Sequence, residues 1–414
     1  MNYSKRQVIS SQPQLLIEKI CPSSGEDTGE TVNTLQTMLQ QALIIEFFTI
    51  PPYLTALYSI KDKTSQAYQT IRTVVLEEML HINLVCNLMN SIRVTPKFVG
   101  KVLSYPNPMP FSVAGGVFVQ LLAASPELME KTFMVIEQPA PLDAEWNGNA
   151  CTIGQFYQAI KYEFEKLPSD FQYHLEGQRD NLYFGSGGGK AILVNSLDKA
   201  EEAIEQIMQQ GEGAKPPSRE YNPDQPWGTY NHYGIRTDKT YGPILGTPFD
   251  MSHFFKFKDL ADSTIPIGET YPMLPNPSPE KFDNPWAKEL GEVFKDCYGL
   301  LIRALEETFA PIEQTNADPY FVVIVPLMQS IFTTLATTLM QIPVLENSDA
   351  TLGPNAGPCF QYSTTPLNEI ITKVSDLLNS PPNQDANLQA ILKTILKSLE
   401  DMNKKGQELS LKCI

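Results

Sequence analysis

The stretch VVLEEMLHINLVCNLMNSI, residues 74–92, is apolar except for two carboxylates and an imidazole at its middle, Glu77, Glu78 and His81. Burying such charges costs several kcal/mol unless something compensates them, and a metal ion is one such compensator. On a helix, alternating steps of four and three residues place Val74, Glu78, His81, Val85, Leu88 and Ile92 on one stripe and direct Glu77 elsewhere. The same steps in the preceding segment align Leu35, Leu39, Ala42, Glu46, Thr49 and Tyr53. If the turn between the segments centres on Asp62, sixteen residues from both Glu46 and Glu78, an antiparallel hairpin sets the two glutamates level. A glutamate facing a Glu-x-x-His is half of the dinuclear carboxylate site of some helical bundles, so a second half is expected. Of the four histidines (His81, His174, His232, His253), only His81 and His253 follow a carboxylate at that spacing, and for His253 the carboxylate is Asp250. A Glu78 carboxylate and a His253 ring serving linked ions must lie within about 8 Å, two ligand bonds of about 2 Å plus a metal separation of about 3.5–4 Å.

The elements that must hold these residues are helical. Residues 33–60 and 65–92 carry apolar positions at helical spacing around the polar turn KDKTS, with Thr64 or Ser65 as N-cap. Pro51-Pro52 interrupts helix hydrogen bonding one turn after Glu46. It is either a plain break between helices or an opening beside the metals, lined by Tyr53 and Tyr58. Residues 93–122, rich in Pro, Gly and β-branched residues, suggest extended segments and loops. Further helices are expected from Ser125-Pro126 to about Glu137, from Thr152 through GQFYQAIKYEFEKL, over 196–214, briefly at DMSHFFKFKDL, and over 286–309, 318–342 and 384–405. The proline-rich residues 215–285 form a long irregular excursion.

Composition narrows the function. A formal charge of −16 over 414 residues argues against nucleic-acid backbone as a partner. Six scattered cysteines give neither a disulfide framework nor a zinc site, and the N-terminus lacks the apolar core of a signal peptide, so a cytoplasmic location is expected. Residues 319–345 contain no charge and are long enough to span a bilayer. Their Pro, Thr and Gln content and acidic flanks favour a central buried helix instead. GSGGGK, Gly185 to Lys190, lacks the spacing and the Ser or Thr of a phosphate loop.

In order along residues 30–260, LQQALIIEFFTIPPYLTALYSI, VVLEEMLHINLVCNLMNSI, FMVIEQP, TIGQFYQAI, IEQIMQQGEGA and SHFFKF resemble the ferritin-like domain of the iminophenyl-pyruvate dimer synthases, enzymes of violacein and rebeccamycin-type pathways, and of related bacterial proteins. The resemblance implies metal ligands at Glu46, Glu78 and His81, with Glu212 and His253 in the second half and Asp250 where similar proteins usually offer Glu. Read from the residues alone, Glu137 or Glu163 could take the place of Glu212. The dimer synthases are far longer chains, so fold and metal site carry over more readily than substrate.

The expectation is a mainly α protein, a ferritin-like four-helix bundle with long irregular insertions and extra C-terminal helices. Its domains would be an N-terminal extension (1–29), a metal-binding domain (30–262) and a helical C-terminal region packed on the bundle (263–414). Mixed carboxylate and imidazole ligation suits two Fe ions, or Mn or a mixed Fe/Mn pair. The corresponding function is a dioxygen-using oxidase or oxygenase acting on a small, amino-acid-derived molecule in secondary metabolism. An iron-binding ferroxidase and a metal-free interaction protein are the alternatives. A homodimer is the self-assembly left open, with no membrane and no nucleic acid as partner.

Overall fold

Two long helices, α1 (Thr28–Ser59) and α2 (Gln66–Ser91), run antiparallel and supply the hairpin that the spacing requires. In the computed structural model, which describes residues 28–140, 152–182, 189–213, 251–311 and 319–414, the turn is closed by Asp62. Its Oδ1 accepts the Thr64 N–H at 2.9 Å and the Thr64 hydroxyl at 2.6 Å, a side-chain mimic of a backbone turn. Ser65 then caps α2 by accepting the Tyr68 N–H at 3.2 Å. Asp250, His232, Cys21, Cys151, most of GSGGGK and most of the proline-rich excursion lie outside the described residues.

α1 does not break at Pro51-Pro52; one helix continues through both prolines. Pro52 has no N–H for the Phe48 carbonyl, and the Tyr105 hydroxyl donates to that oxygen instead at 2.6 Å. The Tyr105 ring also stacks on Phe48 at 4.7 Å. A lost helix bond is therefore replaced from a neighbouring loop, and the helix stays intact.

α4 (Ile153–Glu165) and α5 (Leu197–Gly211) complete a ring of four helices with the hairpin, α4 packing on α1 and on α5, and α5 on α2. α4 begins in a reciprocal capping box between Thr152 and Gln155, and α5 at the cap Ser196. Two shorter helices pack together beside this ring. α3 spans 126–136, starts at the Ser125 cap and contains a π turn over Met129–Phe133; α6 (His253–Ala261) lies against α3 and α2. The loop after α2 forms only the two-residue strands β1 (Asn107–Pro108) and β2 (Phe118–Val119), paired antiparallel.

The C-terminal helices share one continuous apolar core with the bundle. They are α7 (Pro285–Thr308), α8 (320–339), α9 (Leu367–Asn379) and α10 (Ala386–Glu408). Tyr298 of α7 stacks on Phe47 of α1 at 6.2 Å. α9 is an additional helix, although Leu367, Ile370, Val374 and Leu377 give it a readable buried stripe. Among the described residues, two helices are long and apolar enough to cross a membrane by composition: the most apolar window of α1 is 94% buried, whereas that of α8 is 50% buried. α8 is thus not the centrally buried helix that its sequence suggests. One side packs on α7 and α1, and Phe321 on another side is 46% exposed.

Candidate metal centre

Two buried triads of potential ligands meet at the middle of the ring, Glu46 with Glu78 and His81, and Glu78 with Glu137 and His253. Within each triad the ligand atoms lie within 4.8 Å of one another, close to the span of two ligand bonds of about 2 Å. Glu78 is common to both. Its Oε1 lies 3.8 Å from His81 Nδ1 and 2.9 Å from His253 Nδ1, the latter well inside the limit of about 8 Å set by linked ions. His81 Nδ1 is 3.3 Å from Glu46 Oε2, and His253 Nδ1 is 3.6 Å from Glu137 Oε2.

Each carboxylate has one oxygen turned to its triad and the other held by a protein hydroxyl. Tyr157 of α4 donates to Glu46 Oε1 at 2.5 Å, Thr49 to Glu78 Oε2 at 2.8 Å, and Tyr53 to Glu137 Oε1 at 2.6 Å. Burial, with Glu137 beside Tyr53 and Glu46 beside Tyr157, pushes both phenols well above their usual range, so they remain donors.

The histidines are fixed from behind. Glu77, which the stripe geometry directs away from the site, is 1% exposed and accepts from His253 Nε2 at 3.1 Å and from the buried Lys256 ammonium at 2.7 Å. Gln210 of α5 places its Nε2 at 3.4 Å from Glu77 Oε1, leaving its Oε1 to accept from His81 Nε2 at 3.0 Å. A carboxylate can only accept, so His253 carries its proton on Nε2, and the Gln210 arrangement puts that of His81 on Nε2 as well. In the neutral imidazoles, both Nδ1 lone pairs then face the triads.

Protonation behaviour expresses the same crowding. Burial, reinforced by Glu137 and Glu46, pushes Glu78 up to about 7. Burial would lower both imidazoles, yet the surrounding carboxylates raise His81 and hold His253 well above its usual value. Glu77 is the opposite case: against burial, the Lys256 charge and His253 lower it to about 2. Protons occupy positions where a dication would satisfy the same charges, so metal binding and proton release are coupled. The ligand set fits a pair of first-row ions. His253 Nδ1 is buried without a hydrogen-bond partner in line, and the oxygen and imidazole donors suit iron or manganese.

The remaining candidates fall elsewhere. Glu212 belongs to neither triad; its Oε1 accepts the Gly154 N–H at 2.7 Å, at the first turn of α4, where the helix dipole favours a carboxylate. Glu163 is buried on α4 and paired with Lys166 at 2.5 Å. Tyr58 turns to the other side of α1, into a cleft against α8. Of the residues not anticipated, Lys256 had a signal, its i, i+3 spacing from His253; Gln210 and Tyr157 had none.

A ferritin-like family model matches residues 39–262, more than half of the chain. The protein belongs to the ferritin-like family. This ferritin-like chain is also similar to the crystal structure of a ferritin-like protein from Caulobacter vibrioides, at 20% identity and a TM-score of 0.49, over 73% of this chain and 94% of that one. None of the curated proteins matches it.

Proposed function

We propose that this ferritin-like protein is a carboxylate-bridged dinuclear iron oxidase or oxygenase acting on a small, amino-acid-derived molecule, with manganese or a mixed pair as alternative occupants. The observation that carries the reading is the sharing of Glu78 by two buried triads, each with its own imidazole Nδ1. Two bound irons would supply reduction of dioxygen coupled to oxidation of the substrate. The chain's residues would do the rest. Glu46 and His81 would hold one ion and Glu137 and His253 the other, with Glu78 available to both. Thr49, Tyr53 and Tyr157 orient the carboxylates and keep protons on three hydroxyl oxygens at hydrogen-bond distance. Apolar walls, including Phe133 and Phe257 packed on Tyr53 at 4.6 and 5.0 Å, limit water around the site.

Support for the finer assignment comes from the ordered segments that resemble the dimer synthases, whose substrates are amino-acid derived. The test is elemental analysis after iron-replete expression, followed by anaerobic Fe(II) loading and measurement of dioxygen uptake with and without amino-acid-derived imines and 2-oxo acids. Two ions per chain and uptake accelerated by such a compound are expected. Iron loading that grows with supply far beyond two per chain would instead indicate iron storage, and retention of no first-row metal would overturn the metal assignment altogether.

A further inference from the structure

We propose that the protein has a second ligand site, a cleft for an amphipathic monocarboxylate, on the α1–α2 hairpin and lined by none of the triad residues. The cleft encloses about 480 Å³, within the range of small-molecule pockets and far above the voids of a close-packed interior. Its apolar walls include Leu54, Leu57, Val75, Met79, Leu305 and Ile324, drawn from α1, α2, α7 and α8. None of the triad residues lines it. On α1 the cleft residues Ile50, Leu54 and Leu57 interleave with Glu46, Thr49 and Tyr53, so one helix serves two separate surfaces.

The roof offers a second observation. α8 is built from two π turns, Tyr320–Ile324 and Leu327–Ile331, on either side of Val325-Pro326, and Tyr320, Ile324 and Met328 of these turns line the cleft. Such turns are rare and concentrate at functional sites. Tyr320 and Ile324 are buried with the core at the cleft wall, while Met328 is half-buried over it.

The polar lining sets the ligand's head group. Arg72 is the one charged residue among the described lining residues, and Tyr68, Gln329 and Thr333 supply neutral hydrogen-bonding groups. A guanidinium fork matches a carboxylate, and a single cation in a chain of net charge −16 suits a monoanion better than a polyanion. A long apolar wall with one such head group fits a fatty acid or an aryl carboxylic acid, which share this chemistry.

The test uses the full-length, metal-loaded protein after delipidation, with calorimetric titration of dodecanoate, indole-3-acetate and dodecan-1-ol. Dodecanoate or indole-3-acetate is expected to bind, and the tighter of the two identifies the source of the acid. Arg72→Gln should weaken that acid by about tenfold or more, the loss of a charged hydrogen bond, and leave dodecan-1-ol within about threefold. Met328→Trp should fill the cleft and abolish binding of both probes without changing metal content. If circular dichroism shows that this variant misfolds, Val325→Trp on the same helix replaces it. Failure of both acids to bind the wild-type protein up to their solubility limits overturns the proposal. So does wild-type affinity for the acid in Arg72→Gln, or in a folded cleft-filling variant.

Discussion

Replacing Glu77 by Gln tests the idea that the centre is held from behind as much as by its ligands. The substitution keeps the side-chain shape and an acceptor oxygen near His253 Nε2, but removes the charge that faces Lys256 at 2.7 Å. Glu77 is lowered from 4.5 to about 2, which corresponds to about 3 kcal/mol of stabilisation of its charged form. That agrees with the roughly 3–5 kcal/mol lost when one partner of a buried ion pair is removed. The metal-free variant should therefore unfold at lower urea, by about 3 kcal/mol on extrapolation. Outer hydrogen-bond partners of metal-bound histidines contribute about 10- to 100-fold in affinity, or about 1.4–2.7 kcal/mol. The loss should fall mainly on the ion held by His253, because Glu77 reaches His81 only through Gln210 and a long 3.4 Å contact. Anaerobic titration with Fe(II) or Mn(II) against a chromophoric chelator resolves the two binding steps. Two affinities unchanged within about twofold, or both steps weakened equally, would refute this account.

Other outcomes follow from the same geometry. Glu78→Ala should lose both ions while retaining helix content by circular dichroism, whereas His81→Ala and His253→Ala should each lose one ion preferentially, as read by metal-to-protein ratio. Glu212→Gln should leave two ions bound and lower stability by about 1 kcal/mol, the scale of a capping interaction at the N-terminus of α4; loss of an ion would make Glu212 a ligand. Glu78, raised from 4.5 to about 7, makes the metal-free native state bind an extra proton between those values. Its contribution to metal-free stability therefore rises as pH falls from about 7 towards 4.5, while the same proton competes with metal. The gain in melting temperature on adding metal should shrink steadily across that window, and a constant gain from pH 7.5 to 5 would contradict it.

What was legible in the sequence was what local periodicity controls. Glu46, Glu78 and His81 share one hairpin with a short turn, so counting residues from Asp62 sufficed to set them level. His253 was reachable through scarcity, being one of two histidines with a carboxylate three residues before it. Glu77 was not legible because α2 is buried nearly all round from residue 77 onward, and both of its flanks therefore meet partners. A stripe identifies a face only when the opposite face is wet. Glu137 sits just past the last turn of α3, after a π turn that shifts the helical register, and packing of α3 on α6 brings it to the site. Tyr157 and Gln210 depend in the same way on how α4 and α5 close the ring. α8 misleads for a related reason: its apolar surface faces a cleft as well as the core.

The two triads differ in how far along the chain their members lie. Glu46, Glu78 and His81 are all synthesised within the first quarter of the protein, whereas the second triad waits for His253, 172 residues after His81. At about 5–20 residues per second, the ribosome delivers that last imidazole roughly 10–30 s later. Throughout that interval the nascent chain carries one set of donors without the other. If the triads hold metal as proposed, the second can close only when α6 docks, so the free-metal pool during translation would bear on which ion occupies the first position.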